Sequence, residues 1–399
     1  MNLKFSADEE SFRQEVRDFI KKEVPSDFRG ADTDCQYEEE ARDDIHKFAA
    51  EMRKKLAAKG WLGMTWPKEY GGQEAPFMYD FILAEELNYN KVPGRDLYGC
   101  SIVGPTILRI GTEEDKKKYI PEITKGEVTW SEGMSEPEAG SDLMSMKSKA
   151  ELKGEEWVIN GEKIWSSGAH VADRYLLFVK TNPEVPPHKG ISCFILNIKD
   201  TPGVTMQPIQ HMDGLFAFNS VWMEDVKVSK DTLFGGEGNG FKVILETLNF
   251  ERPFSGSVMT YATGVLNQLT EYCKQTKRNG KPLAEDQVIR QKLADCATRL
   301  EVGRMMAYNV VWMQSQGLPT PKESNMIKLY GIESTKKVYD TAMQILGPYG
   351  QLDEESKCAP LRGEVKYLYM RAIGLMSAGG TPEIMRNTIA GAGLRMPRG

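Results

Sequence analysis

The first place in the chain where chemistry could gather is a loop of small residues, Met134-Ser135-Glu136-Pro137-Glu138-Ala139-Gly140-Ser141-Asp142. Small side chains let backbone N–H groups approach a flat or anionic ligand closely. On spacing alone the same stretch also reads as an ordinary turn between domains. Other chemistries have less behind them. The four histidines, His46, His170, His188 and His211, have no partner at metal-ligand spacing, which argues against a His-based metal hydrolase. Spacing gives no support to a Ser-His triad either. The six cysteines, Cys35, Cys100, Cys193, Cys273, Cys296 and Cys358, form no C-x-x-C. They read as reduced, mostly buried thiols rather than a disulfide framework or a zinc knuckle. No G-x-G-x-x-G follows a strand and there is no P-loop, so a Rossmann nicotinamide site and an NTPase are unsupported.

The elements that must position such a loop change character along the chain. Ser6 with Glu9 predicts a capping box, and Phe12, Val16, Phe19 and Ile20 make one apolar helical face that Pro25 ends. Residues 37–59 place Phe48, Met52 and Leu56 on a second face. A Gly-, Trp- and Pro-rich turn spans Trp61 to Gly72, and helical pattern returns at 77–90 and 101–125. From Val128 the period becomes two. Glu156–Trp165 predicts a hairpin, with Asn160-Gly161 as its type I′ turn. Further strands are expected at 175–180, 191–198, 204–209 and 219–228, a β domain of about a hundred residues. After Gly235–Gly240 come four long helical segments, roughly 240–276, 284–316, 322–346 and 361–390, expected to form an antiparallel bundle. The reading is a mainly α chain with a central β domain: helices over 1–127, a β-barrel over 128–234 and a four-helix bundle over 235–399.

Composition bounds the partners. The 399 residues carry 51 Lys+Arg against 57 Asp+Glu, a net charge of −6, with no dense basic run to hold nucleic acid. No apolar stretch approaches the roughly 18–20 residues of a membrane span. Residues 1–10 are acidic without an apolar signal core, so a cytoplasmic protein is expected.

In order along the chain, several motifs resemble those of the acyl-CoA dehydrogenase family of flavoproteins. Trp61–Gly72 resembles the first-domain signature and Met134–Asp142 the first flavin loop. Asn160-Gly161-Glu162-Lys163-Ile164-Trp165-Ser166-Ser167 resembles the flavin-stacking strand. Gln344-Ile345-Leu346-Gly347 and Gly380-Thr381-Pro382-Glu383-Ile384 resemble the C-terminal signatures. The resemblance covers nearly the whole chain. It implies the family's three-domain fold, FAD as cofactor, an acyl-CoA thioester substrate, loss of two hydrogens, and a tetramer paired through the C-terminal bundles.

Residue by residue, the resemblance implies that Trp165 stacks on the isoalloxazine and shields it from water. It places the Ser167 hydroxyl near flavin N5 and Ser135 at the pyrimidine edge, with Met134 supplying backbone contacts. Gly140 and Ser141 would sit by the flavin and the pantetheine-phosphate arm. Glu138 stands where the family usually has Gly. Gln344, Gly347, Thr381 and Glu383 match contacts on the adenosine and pyrophosphate side. The family's pyrophosphate Arg aligns with Thr276, a departure, which leaves Arg278 or Lys277 to supply the charge in a shifted register.

The implied reaction needs a carboxylate to take the α-proton while hydride leaves Cβ for the flavin. The family's usual base position holds Gly379 here. In isovaleryl- and long-chain-type branches the base sits instead on the first long helix of the bundle. There this chain reads Asn249-Phe250-Glu251-Arg252-Pro253. Glu251 falls on the base and Arg252 on the substrate-contacting Arg, with Asn249 beside them. Gly379 would open room for a branched or cyclic acyl group. Arg95 or Asp96, where the family builds the bottom of its acyl pocket, would meet a distal carboxylate, act as a second base, or be surface loop charges. The expected acceptor is an electron-transfer flavoprotein, and the assembly a homotetramer or a heterotetramer with a paralogue. The alternatives are a degenerate structural subunit of a heteromeric enzyme, an oxidase, or 1,4-dehydrogenation of a cyclic acyl-CoA.

Overall fold

The structure is a computed structural model that describes residues 5–26, 28 and 43–397; the side chains of 43–44 and 253–258 lie outside that description. Cys35 and residues 37–42 of the second expected helix are likewise outside it. In chain order the helices are α1 (Ala7–Glu23), α2 (Asp43–Ala58), α3 (Phe77–Tyr89), α4 (Gly104–Ile110), α5 (Glu113–Thr124), α6 (Gly240–Gln275), α7 (Gln287–Ser315), α8 (Pro321–Leu346), α9 (Glu364–Leu375) and α10 (Pro382–Thr388). The strands are β1 (Trp130–Gly133), β2 (Lys149–Lys153), β3 (Glu156–Ser167), β4 (Arg174–Lys180), β5 (Ile191–Asn197), β6 (Val204–Ile209), β7 (Phe218–Ser229), β8 (Leu233–Phe234), β9 (Lys277–Arg278) and β10 (Lys281–Pro282). These elements follow the three-domain plan that the motifs imply. By contacts, the chain divides into two compact units.

The helical unit comprises Met1–Phe28, Phe77–Lys91 and Arg252–Gly399. α1 begins with the expected capping box, Ser6 Oγ accepting from the Glu9 amide at 3.2 Å and Glu9 Oε2 from the Ser6 amide at 2.7 Å. Its buried face contains Phe12, Val16, Phe19 and Ile20, in agreement with their spacing. The bundle core joins Leu266 and Leu269 of α6, Leu300 and Val311 of α7, Ile327 and Val338 of α8, and Val365 and Leu368 of α9. The expected fourth long segment, 361–390, is not one helix. Leu361 and Arg362 have positive φ before α9 begins, and Gly379 (φ +64) and Gly380 (φ +111) separate α9 from α10. Thr381 then caps α10, whose first residue is Pro382.

The sheet unit comprises Arg29–Pro76 and Val92–Glu251. Its eight strands run β6-β7-β3-β2-β4-β5-β8, with β1 added parallel to β4. Trp157, Ile159, Tyr175, Leu177, Phe194 and Val221 fill the core. The expected helix at 101–125 is broken. A wide π-type turn covers Tyr98–Val103, and Gly111 is extended between α4 and α5, where Thr112 starts a new capping box.

The hairpin expected at Asn160-Gly161 is also corrected. β3 runs straight through these residues, and the turn lies earlier, at Gly154-Glu155, where Lys153 faces Glu156. Asn160-Gly161 is instead a bulge against β7. Asn160 is held by Asp225: its Nδ2 donates to Asp225 Oδ1 at 3.1 Å, and its Oδ1 accepts from the Asp225 amide at 2.9 Å. Gly161 has φ +147, and a Cβ there would lie 2.2 Å from Ser148 Oγ. Its role is close approach, not chain reversal.

Among the described residues, Cys100, Cys193, Cys273 and Cys296 are buried and Cys358 is exposed. No group of His, Cys, Asp or Glu among them could hold a metal, and no helix among them is long and apolar enough to cross a membrane.

Candidate functional site

In the sheet unit, β1 delivers the small-residue loop. Glu136 and Ala139 exchange two backbone hydrogen bonds of 3.0 Å, making a tight turn with Pro137-Glu138 at its exposed tip. Glu138 therefore needs no glycine conformation, and its carboxylate pairs with Lys147. The loop is locked to β3 twice. The Ile164 amide donates to Ser135 O at 2.9 Å. Lys163 Nζ, fully buried, donates to Glu136 Oε1 at 2.8 Å. Burial pushes the Glu136 carboxyl up, but Lys163 and the Lys147 amide outweigh it and hold it below the usual carboxylate range. Gly140 and Ser141 are exposed, and a Cβ on Gly140 would meet nothing within 4 Å.

Trp165 sits on a second bulge of β3, between Lys163 and Ser166. Its φ is +64, a left-handed conformation uncommon for a bulky residue. It is 55% exposed, with the edge of its ring on Phe218 at 6.1 Å, so it is no core tryptophan. A large aromatic face kept in solvent by a strained backbone marks a place where something flat can stack.

Two residues on, Ser167 ends the strand. Ser131 Oγ donates to its carbonyl at 2.7 Å, and the Tyr98 hydroxyl donates to its Oγ at 3.1 Å. Asp96 anchors the turn that carries Tyr98. Its Oδ2 accepts from the Gly99 amide at 3.0 Å and the Trp130 amide at 3.1 Å. Burial, opposed by Arg53 and these amides, pushes its carboxyl up to about 7. Asp96 is thus buried, and Arg95 is partly buried with Nη1 on Ser101 Oγ at 2.9 Å. Their reading as surface loop charges is corrected: the turn folds inward against β1.

Glu251 and Asn249, both partly buried, lie on the part of α6 that belongs to the sheet unit. A second carboxylate feels the charge of Glu251. Glu132, in the middle of β1, has a buried Oε1 with no hydrogen-bond partner. Burial, and next the like charge of Glu251, push its carboxyl up to about 8.

The remaining candidates lie in the helical unit. Arg252 is buried, and a Cβ on Gly380 would lie 3.9 Å from its Nη2. Arg278 and Lys277 form β9 of a small hairpin whose turn, Asn279-Gly280, has φ of +53 and +80. This Asn-Gly does reverse the chain. Arg278 is exposed and donates from Nη2 to Ile345 O at 3.4 Å, which brings it beside Gln344 and Gly347. Gln344 Oε1 accepts from Lys292 Nζ at 2.6 Å. Thr381 Oγ1 accepts from the Ile384 amide at 3.3 Å, and exposed Glu383 lies in the same first turn.

Comparison with known proteins decides the family. The N-terminal, middle and C-terminal domain models of acyl-CoA dehydrogenase match residues 6–127, 131–226 and 238–394. Acyl-CoA dehydrogenase IpdE1 of Mycobacterium tuberculosis is 31% identical over 98% of each chain. The chain belongs to the acyl-CoA dehydrogenase family. Among solved structures, the Tcur3481-Tcur3483 steroid ACAD is 32% identical with a TM-score of 0.90, covering 100% of each chain. The ChsE4-ChsE5 complex from Mycobacterium tuberculosis is 29% identical with a TM-score of 0.86, again over 100% of each.

Acyl-CoA dehydrogenases are FAD-dependent oxidoreductases, and the residues present fit that cofactor. An exposed aromatic face, a hydroxyl two residues away and an open small-residue loop converge on one stretch of β3. Sequence reasoning misses Glu132, Tyr98 and the Lys163–Glu136 pair. A lone Glu in a strand carries no spacing signal, and neither the pair nor the Tyr98 contact exists until β1, β3 and the Asp96 turn come together.

Proposed function

We propose that this acyl-CoA dehydrogenase oxidises a bulky acyl-CoA thioester to the 2,3-enoyl-CoA, with Glu251 as the base that takes the α-proton. The observation that carries this reading is the buried, partnerless Oε1 of Glu132 within the field of Glu251, in a chain whose residue 379 is glycine. An acid held neutral beside a base keeps a second negative charge out of the site while the base works. Gly379 has no side chain to compete for the proton. FAD, when bound, would supply the hydride acceptor, and the proposed electron acceptor is an electron-transfer flavoprotein.

The chain's own residues do the rest. Trp165 covers the ring face and excludes water. Met134, Ser135 and Ser167 hold its polar edge, and Gly140 lets the backbone come close. Ser141, Asn249 and Arg252 contact the substrate. Arg278, Gln344, Gly347, Thr381 and Glu383 serve the adenosine and pyrophosphate side for a neighbouring subunit. The small residue at 379 and the solved relative named as a steroid enzyme favour a ring-bearing acyl group. The two-protein names of the two solved relatives favour a heterotetramer with a paralogue over a homotetramer. We place this assembly in the cytoplasm.

The test is the anaerobic visible spectrum of the purified protein with straight, branched, ring-bearing and dicarboxylyl acyl-CoAs. Bleaching by ring-bearing thioesters, lost in Glu251→Gln with FAD retained, is expected. Full turnover in Glu251→Gln would overturn the assignment of the base. A complex with a paralogue that holds FAD and keeps full turnover when Glu251, Trp165 or Ser167 of this chain is replaced would favour the second reading, a structural subunit, which Gly379 also fits.

A further inference from the structure

Ser167 is braced from two sides, and both braces lead back to β1. Ser131 of β1 holds its carbonyl at 2.7 Å. Trp130 of β1 is held by Asp96, and Asp96 also holds the Gly99 amide, so the turn between them is fastened to the same strand. Tyr98 lies on that turn, and its hydroxyl reaches Ser167 Oγ at 3.1 Å. The packing leaves little freedom to this arrangement. A Cβ on Gly99 would lie 2.4 Å from Asp96 Oδ2 and 3.0 Å from Trp130 Cδ1.

A serine hydroxyl has one proton and two lone pairs. Where the phenol donates into Oγ, the Ser167 proton is turned away from Tyr98 and is free for another acceptor. Linked hydrogen bonds also polarise one another, by an estimated 10–30% per bond. We propose that Tyr98 is a positioning residue of the redox centre: its phenol fixes the Ser167 hydroxyl so that Ser167 donates its proton to the flavin nitrogen that accepts hydride. This rests on the reading of Ser167 as a flavin contact. A donor aimed at that nitrogen draws electron density toward it and so favours hydride addition, and once the nitrogen carries the added hydrogen the same hydroxyl oxygen, held in place, can accept from it.

The experiment uses the FAD-loaded protein and the variants Tyr98→Phe, Ser167→Ala and the double variant. The readouts are the visible absorption band, the two-electron midpoint potential and the melting temperature. Tyr98→Phe should shift the band in the same direction as Ser167→Ala. It should also move the reduction equilibrium in the same direction as Ser167→Ala, by roughly threefold to tenfold, about 15–30 mV for two electrons. In the Ser167→Ala background, Tyr98→Phe should change neither spectrum nor potential further. A Tyr98→Phe variant that melts earlier but keeps the wild-type band and potential would overturn the proposal, since that is what a purely structural contact would do. Additive effects in the double variant would also overturn it. If Ser167→Ala itself moves nothing in a protein that holds FAD, the reading of Ser167 fails and this inference with it. If Ser167→Ala responds and Tyr98→Phe does not, only this inference fails.

Discussion

Lys163 Nζ and Glu136 Oε1 lie 2.8 Å apart, both buried, and tie β3 to the loop that carries Ser135, Gly140 and Ser141. The pair has no access to water, so its strength depends on both charges being present. Removing one partner of a buried pair typically costs about 3–5 kcal/mol, because the other is left uncompensated. Lys163→Met should destabilise the protein by that order and weaken FAD binding. The double variant Lys163→Met with Glu136→Gln, which keeps one oxygen acceptor for either the Lys147 or the Ser148 amide, should recover part of the loss. Chemical denaturation of the three proteins checks this. Acid should also tell them apart. Glu136 lies below the usual carboxylate value, so its stabilisation is present above about 4.5 and lost as pH falls through its folded value.

Glu132 works in the opposite direction. Its folded value of about 8 lies above the ordinary 4.5. Below 4.5 it is neutral folded and unfolded. Between 4.5 and 8 the unfolded chain ionises it and the folded chain does not, so stability falls as pH rises through that window. Glu132→Gln should remove this slope and make the protein more stable than wild type above pH 8, by on the order of a few kcal/mol. Glu251→Gln, which deletes the like charge, should move the upper end of the window down. Denaturation curves from pH 5 to 9 measure both. Equal slopes in wild type and Glu132→Gln would disprove the prediction.

Arg278 is exposed on a two-residue strand, so its loss should leave the fold intact. If it meets a pyrophosphate, Arg278→Ala removes a charge-assisted hydrogen bond worth about 1.5–3 kcal/mol. FAD should then bind roughly tenfold to a hundredfold more weakly. Lys277→Ala, tested in parallel, should change the affinity little. Titration of apoprotein with FAD, with melting temperature as control, distinguishes the two residues, and the reverse result would hand the role to Lys277.

Local chemistry alone accounts for the period of α1, its capping box and the strands around β4 and β5, and the ordered motifs name the family. The features that sequence does not disclose depend on contacts between distant residues. The two Asn-Gly pairs make the point. Asn279-Gly280 turns the chain, while Asn160-Gly161 does not, because Asp225 on β7 and Ser148 before β2 claim those two residues for a bulge. Asp96 reads as a loop charge because nothing local announces that Trp130, thirty-four residues later, uses it as an acceptor. The break inside the last expected helix is written in Gly379-Gly380, where the apolar periodicity of the flanking residues masks it.

The conformation of Trp165 has a consequence for how such a chain can drift. Left-handed backbone costs a bulky residue about 1–2 kcal/mol, and glycine nothing. An exposed indole adds further cost to solubility. Selection for robustness alone would favour glycine at this position. If the indole stacks on the flavin as proposed, it is a cost the fold carries for that ligand, and a lineage that stopped needing the ligand would have a thermodynamic reason to lose Trp165 first.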